Sequence, residues 1–376
     1  MFRPETLLSA NYQITGSERD ARERAERICL DQTIEADEDV LPADRRPKIL
    51  GHIAQFRAVS STRFEVNIVY QGTLVGSHCS ALLNLLYGTT SLRAGIRLLS
   101  FALGSELLAR WHGPRFGLET IRQRCMVAQR ALVCGVLKPL GRTPEELAHL
   151  ASEFVRGGVD LVKDDQGLLD QPFCSFSERV KRCAEAINHA AHQRGRPCLY
   201  FPHISGPLDV MRSRAHLAKY NGAHGLLIAP GLTGFDALSS LATDDTLMLP
   251  IISHPSFLGS YCTTPDNGLA PSVLFGQICR VAGSDVSVYP SMDSGYPMMQ
   301  ADYLAIAQAC RSPWGNIKPT LPTAAGRISV DRVRPLIDLV GSDVLFILGS
   351  RIQQDIKSPS SATKQFMDEI KHRTTQ

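Results

Sequence analysis

Residues 157–169 read GGVDLVKDDQGLL, which places a lysine and two aspartates at the end of an apolar run. The run at 159–163 has the length and composition of a buried strand. Lys163, Asp164 and Asp165 end it, and burying charge costs free energy unless the charge is paired or used. The stretch therefore predicts a strand whose carboxyl end carries polar chemistry.

Similar apolar runs alternate with helical stretches through the rest of the chain. The eight predicted strands are residues 131–137, 159–163, 198–203, 225–229, 249–254, 285–289, 317–323 and 343–348. The clearest helix covers 143–156, where Thr143 can cap the N-terminus and Pro144 suits the first turn. Eight strand–helix units in about 240 residues predict a closed (β/α)8 TIM barrel. An open doubly wound sheet is the alternative.

The first 125 residues follow a different pattern. Strand-like stretches at 50–58 and 63–70 lie among helical ones at 17–29 and 82–86. This mixture is typical of an α+β domain. We therefore predict two domains, an α+β domain over residues 1–125 and the barrel over residues 126–376.

Composition and charge exclude several classes of protein. The net charge of the 376-residue chain is only +3, and Lys and Arg are scattered, so no nucleic-acid partner is expected. No apolar stretch reaches the roughly 20 residues that cross a bilayer, and the N-terminus lacks the apolar core of a signal peptide. We expect no membrane partner and a cytoplasmic location. The ten cysteines show no CxxC pair and are expected to be reduced thiols.

Ionisable side chains recur where the predicted strands end. Catalytic groups of a barrel lie at the carboxyl ends of its strands, so Lys138, Lys163, His203 and His254 are candidate site residues. Each has a structural alternative, such as a lysine covering the barrel rim or a hydrogen-bonded core histidine. Four such positions together favour a functional site.

Three segments resemble the ribulose bisphosphate carboxylase (RuBisCO) large-chain family. Residues 157–166 are similar to its G-G-x-D-x-x-K-D-D-E motif, 133–141 to its strand-one segment with a catalytic lysine, and 82–88 to an N-domain segment carrying an asparagine. The resemblance spans nearly the whole chain. It implies an α+β, ferredoxin-like N-terminal domain before a (β/α)8 barrel.

The resemblance also implies a magnesium site. In the family the motif lysine takes up carbon dioxide to form a carbamate, which holds Mg²⁺ together with two carboxylates. Lys163 corresponds to that lysine, Asp165 to the first carboxylate and Gln166 to the second. Because Gln166 is neutral, we expect weakened Mg²⁺ binding, with a metal-free site as the alternative. Lys138 and His254 are the implied acid–base residues.

A phosphate site is implied at the last two strands. The turns at Gly326 and at Gly349 and Ser350 are expected to bind one phosphate through backbone N–H groups. Arg327 is a charged candidate beside them, and His203 is a further candidate for substrate binding. We expect a substrate with a single phosphate.

The resemblance implies that two subunits share each active site. Asn84, with an acid at Asp31 or Glu35, is expected to reach into the site of a partner subunit. We therefore predict at least a homodimer.

Four departures separate the chain from the carboxylases. Leu140 replaces the second lysine of the family's K-P-K-L-G segment, and Pro255 replaces an arginine that binds a second phosphate. Val288 lies at or near the position of the strand-six histidine, and residues 291–298 contain no lysine. We therefore predict a RuBisCO-like (form IV) protein that does not carboxylate ribulose bisphosphate.

Three functions remain open. The first is an enzyme acting through an enediolate on a phosphorylated ketose or 3-oxo sugar acid, as an acid-sugar decarboxylase or C–C hydrolase. The second is an isomerase or enolase of a methylthio-ketose phosphate in methionine salvage. The third is a non-catalytic protein that binds a metabolite. Lys138, Lys163 and Asp165 argue against the third, because binding alone does not require them.

Overall fold

The chain forms two β-sheets in a computed structural model that describes residues 3–296, 298–349 and 359–371. The first sheet contains β1 (Leu7–Thr15), β2 (His52–Ser60), β3 (Arg63–Gln71), β4 (Ile96–Leu103) and the later β10 (Gly268–Leu269). The second contains β5 (Leu132–Leu137), β6 (Leu161–Asp164), β7 (Leu199–Phe201), β8 (Leu226–Ile228), β9 (Ile251–Ser253), β11 (Val286–Pro290), β12 (Leu321–Ala325) and β13 (Leu345–Leu348).

Helices cover both sheets. Before the second sheet lie α1 (Glu18–Asp31), α2 (Arg46–Ile49), α3 (Cys79–Tyr87), α4 (Ser105–Leu108) and α5 (Gly117–Cys125). Between and after its strands lie α6 (Pro144–Gly157), α7 (Phe176–Arg194), α8 (Leu208–Tyr220), α9 (Pro230–Thr233), α10 (Phe235–Ala242), a π-helix (Ser272–Ile278) continuing into α11 (Cys279–Val281), α12 (Gln300–Arg311), α13 (Val330–Val340) and α14 (Pro359–Lys371). No helix in these described ranges is long and apolar enough to cross a bilayer.

The N-terminal sheet has the ferredoxin-like arrangement that the family resemblance implies. Its strand order is β10-β4-β1-β3-β2, and β1 pairs antiparallel with both β3 and β4. The predicted strands at 50–58 and 63–70 correspond to β2 and β3, whereas β1 and β4 were not predicted. The signal for β1 was present, because apolar and polar residues alternate in the sequence from Leu8 to Thr15.

The second sheet is a closed barrel, as predicted, and the open-sheet alternative is wrong. Parallel pairing runs in the order β7-β6-β5-β13-β12-β11-β9-β8. The last gap is closed where Ile204 N–H donates to the Leu227 carbonyl at 3.0 Å and Leu227 N–H donates to the Pro202 carbonyl at 2.8 Å. All eight predicted strands are present.

Helix α5 packs against the amino-terminal end of the barrel. Leu118, Ile121 and Cys125 belong to the same buried cluster as the inner side chains of the barrel strands. The buried carboxylate of Asp285 also accepts the backbone N–H of Gly117 at 2.7 Å. These contacts favour a domain boundary just before α5, and the division predicted at residue 125 stays a prediction.

Candidate active site

A cavity of about 990 Å³ opens at the carboxyl end of the barrel strands. Successive side chains of a strand point to opposite faces, so a residue two positions beyond an inner residue also faces the interior. This period of two accounts for four residues of the cavity lining: Lys138 after Val136, Lys163 after Leu161, His254 after Ile252 and Gly349 after Ile347. Local strand geometry thus brings the three predicted catalytic side chains into one pocket.

Lys163 lies in the wall of this pocket and is only 2% exposed. Its Nζ donates to the backbone carbonyl of Asp164 at 3.0 Å, and no carboxylate of the described residues forms an ion pair with it. Burial lowers the pKa of Lys163, and the positive charge of Lys138 lowers it further, whereas Asp165 opposes the shift. Burial therefore favours the neutral amine, which is the nucleophilic form.

The two aspartates after Lys163 have different environments. Asp164 is fully buried, and its carboxylate accepts hydrogen bonds from Arg179 Nε (3.0 Å), His203 N–H (3.0 Å) and the Tyr200 hydroxyl (2.8 Å). The Asp164 carboxylate is thus hydrogen-bonded by residues of the barrel itself. Asp165 is half-buried and lines the pocket. Asp165 is therefore the carboxylate available to a ligand.

His254 has a defined tautomer. Its Nδ1 accepts the backbone N–H of Ser256 at 3.2 Å and lies 2.9 Å from the Ser256 hydroxyl. Because a backbone N–H can only donate, Nδ1 is unprotonated and Nε2 carries the proton. Burial and the charge of Lys163 hold the pKa of His254 well below its usual range. The ring is thus a neutral hydrogen-bond donor, suited to stabilise a developing oxyanion.

His203 does not line the pocket. The ring is fully buried, and its Nε2 is 2.8 Å from the Ser205 hydroxyl, which accepts the Ala229 N–H at 2.9 Å. Burial lowers the pKa of His203 to about 3, so the ring is neutral. The predicted substrate contact stays a prediction, and the burial of the ring disfavours it.

The predicted phosphate end is lined by Gly326, Arg327 and Gly349. Gly326 has φ 108°, and a Cβ there would lie 2.8 Å from Ser294 Cβ, so only glycine fits. Gly349 faces Lys138, whose Nζ would lie 3.5 Å from a Cβ at residue 349. Arg327 is exposed, and Ser350 lies outside the described residues.

The part of the pocket lining that follows β9 contains an apolar wall that was not predicted from the sequence. The apolar wall is formed by the side chains of Pro255, Phe257, Cys262, Phe275 and Met298; the polar residues Ser256, Thr263, Ser294 and Tyr296 of the lining lie between them in the chain. The lysines and arginine in the described lining are Lys138, Lys163 and Arg327, so this wall carries none of them. The single departure Pro255 pointed to one lost charge but not to the other apolar side chains of this wall.

Asn84 is exposed on α3 and does not line the pocket of its own subunit. Of the two acids proposed to act with it, Asp31 is buried between Arg27, at 2.8 Å, and Arg93, at 2.5 Å. Its charge is therefore used within the N-terminal domain. Glu35 is exposed and remains the candidate.

Comparisons with known proteins agree with this architecture. The model of the RuBisCO large-chain catalytic domain matches residues 117–365. "Ribulose bisphosphate carboxylase-like protein 1" from Rhodopseudomonas palustris is 31% identical over 342 residues, 91% of each chain. "5-methylthioribulose-1-phosphate isomerase" from Rhodospirillum rubrum is 31% identical over 350 residues, 92% of this chain and 91% of that protein.

Solved structures show the same relationship. The crystal structure of the RuBisCO-like protein from Rhodopseudomonas palustris superposes with a TM-score of 0.89 at 30% identity, covering 98% of this chain and 99% of that one. The match therefore includes the N-terminal sheet as well as the barrel. The chain belongs to the RuBisCO large-chain family, among its RuBisCO-like (form IV) members.

Proposed function

We propose that this chain is an enzyme that enolises a phosphorylated ketose by moving a proton next to its carbonyl group. The observation that carries the proposal is one pocket in which Lys138, Lys163 and His254 converge between a glycine-lined end and an apolar wall. The substitutions at Leu140, Pro255 and Val288 argue against ribulose bisphosphate carboxylation.

The side chains of the pocket suit proton transfer at carbon. Removing a proton next to a carbonyl leaves negative charge on the carbonyl oxygen, and preorganised donors lower the energy of that state. His254 can donate its Nε2–H to this oxygen. Lys138, which is half-buried in the pocket, is the candidate that accepts and returns the carbon-bound proton.

The shape and polarity of the pocket favour the isomerase or enolase reading. The phosphate would lie against Gly326, Arg327 and Gly349, and an apolar substituent such as a methylthio group would contact Phe257 and Met298. A sugar acid would instead place a carboxylate against an apolar wall, which costs desolvation energy without a cation to pair it. The acid-sugar reaction is therefore the second candidate. Product analysis separates the two, since only the acid-sugar reaction releases carbon dioxide or two fragments.

Magnesium fits these residues only if Lys163 is carbamylated. No group of three or more His, Cys, Asp or Glu side chains in the described chain could hold a metal. In carbamylation the neutral Nζ forms an N–C bond to carbon dioxide, one C=O pair moves onto oxygen, and a proton leaves Nζ for solvent. The carbamate, Asp165 and the Gln166 carbonyl would then supply three oxygen donors. A bound Mg²⁺ would polarise the substrate carbonyl.

Gln166→Glu is expected to tighten Mg²⁺ binding about fivefold or more in bicarbonate buffer. Two unit charges about 4 Å apart interact by about 1 kcal/mol in water and about 4 kcal/mol at an effective dielectric of 20. Gln166 is exposed, so the smaller value, about fivefold in affinity, is the appropriate minimum. Calorimetry measures the change, with Gln365→Glu on an exposed position of α14 as the control. Equal affinities for wild type and Gln166→Glu would remove residue 166 from the metal site.

We also propose a homodimer with shared active sites. Apolar side chains shortly after the carboxyl ends of the first four barrel strands are exposed: Leu140 (49%), Phe173 (49%), Leu208 (41%) and Leu232 (56%). A second subunit that covers these side chains would remove apolar surface from water. Asn84 and Glu35, exposed and outside the pocket lining of their own subunit, are the residues that we expect it to contribute.

Co-expression of Asn84→Ala and Lys163→Ala subunits is expected to restore activity that neither variant has alone. A mixed dimer with shared sites keeps one site in which both residues are intact, so random pairing should restore about a quarter of wild-type activity. Differently tagged subunits allow the mixed dimer to be purified and assayed. Activity no higher than that of the parent variants, or a fully active monomer at nanomolar concentration in sedimentation, would contradict the shared site.

A further inference from the structure

The apolar wall of the pocket begins with a tight turn next to His254. Leu258 N–H donates to the Pro255 carbonyl at 3.0 Å, which closes a β-turn over residues 255–258. Of its two central residues only Phe257 has a positive φ, 67°. This is the pattern of a type II turn, whose third position favours glycine because a Cβ is crowded there.

Phe257 therefore has an unfavourable backbone conformation that its side chain does little to offset within the fold. The left-handed region is a genuine outlier for a bulky residue. The ring is 69% exposed, so it buries little apolar surface in the free protein. Yet Phe257 lines the pocket. Residues kept in strained conformations cluster at ligand sites, where the surrounding structure holds them.

The neighbours of Phe257 hold the turn in place. Leu258 is buried and packs over Gly231, where a Cβ would lie 2.4 Å from the Ser256 carbonyl and 3.0 Å from Leu258 Cδ2. On the N-terminal side of Phe257, the backbone N–H of Ser256 donates a hydrogen bond to His254 Nδ1. The turn is therefore fixed on both sides of Phe257, which fixes the direction in which its side chain leaves the backbone.

The chain after this turn is anchored to the N-terminal sheet. Strand β10 pairs with β4, and Asp266, just before it, accepts hydrogen bonds from Arg63 at 3.0 Å and Gln13 at 3.2 Å. The segment between, which includes Cys262 and Thr263 of the pocket lining, thus runs between two fixed points. A wall held in this way contacts a ligand without losing further conformational freedom.

We propose that Phe257 is a specificity-determining residue whose ring contacts the apolar substituent of the substrate. The identity of that substrate rests on the proposed function. The strained turn, the exposed ring and its place in the pocket wall are independent of that proposed function. The contact is remote from the reacting carbons, so it contributes to binding the ground state and the transition state equally and acts on KM.

Variants of residue 257 separate the ring from the backbone. Phe257→Gly and Phe257→Ala both remove the ring, and each is expected to raise KM about 10- to 100-fold for a ketose phosphate with an apolar substituent, with kcat changed less than about threefold. Phe257→Leu should keep most of the affinity. The glycine variant should have a Tm at or above that of wild type and about 1–2 °C above that of the alanine variant, because glycine relieves the strain.

Those kinetics would overturn the proposal if KM were unchanged in both ring-deleting variants. A rise in KM in Phe257→Gly that Phe257→Ala does not share would also overturn the proposal, because backbone flexibility would then be the cause.

A binding measurement distinguishes failure of this inference from failure of the proposed function. Calorimetry compares inorganic phosphate with hexyl phosphate, whose alkyl chain extends from the phosphate end towards the apolar wall. Wild type is expected to bind hexyl phosphate at least about tenfold more tightly than phosphate, and Phe257→Gly should lose most of this difference. That result supports the role of Phe257 even if no ketose phosphate is turned over. The proposal is overturned if wild type and Phe257→Gly show the same difference in affinity between hexyl phosphate and phosphate. It is also overturned if wild type shows no such difference.

Discussion

Lys163→Ala is expected to lower kcat/KM by about 10³-fold or more and to abolish Mg²⁺ binding in bicarbonate buffer. Alanine can form neither the carbamate nor a cation beside the substrate carbonyl, and such groups act mainly on the transition state. Steady-state kinetics and calorimetry measure the two effects. Lys181→Ala, which removes an exposed lysine from α7, is the matched control and should leave both unchanged.

The pH dependence of wild-type activity tests the form in which Lys163 acts. Burial lowers the pKa of Lys163, so the neutral amine that reacts with carbon dioxide forms at lower pH than for a free lysine. Carbamylation consumes this amine and releases a proton, so activity should rise with pH and require carbon dioxide. If Lys163 acted as an ammonium ion, activity would instead fall as the pH rises through the lowered pKa. Full activity in excess EDTA without carbon dioxide would exclude the carbamate.

Lys138→Met is expected to lower kcat about 10²- to 10⁴-fold while KM changes little. A side chain that moves a proton in the transition state contributes an effect of this size, and methionine keeps most of the bulk of the lysine without the amine. NMR in deuterated water should show that the exchange of the substrate's α-hydrogen is lost as well. Lys181→Met serves as the control. Exchange at the wild-type rate in Lys138→Met, together with its loss in Lys163→Ala, would assign the proton transfer to Lys163 instead.

The sequence determined the barrel and the ionisable side chains that reach its pocket because the signals for both are local. A strand is an apolar run of a few residues, and the period of two continues past its end, so Lys138, Lys163 and His254 were predictable from their distance to inner residues. The same locality explains why β1 was detectable in principle. The resemblance to the RuBisCO family extended the prediction to the ferredoxin-like sheet, which the comparisons support.

Tertiary structure alone decided which of several similar residues serves the pocket. Asp164 and Asp165 are neighbours in the chain, but Arg179 and Tyr200 reach only the first. His203 ends its strand as His254 does, yet it is buried outside the pocket lining and bonded to Ser205, whose hydroxyl accepts the N–H of the distant Ala229.

The same holds for Asp31 and for the turn at Phe257. Asp31 is paired with Arg93, 62 residues away, so the exposed Glu35 is the remaining candidate acid. The left-handed turn at Phe257 is fixed by packing against Gly231. In each case the environment comes from residues distant in sequence, and burial, hydrogen bonding and pKa depend on those neighbours rather than on the residue type.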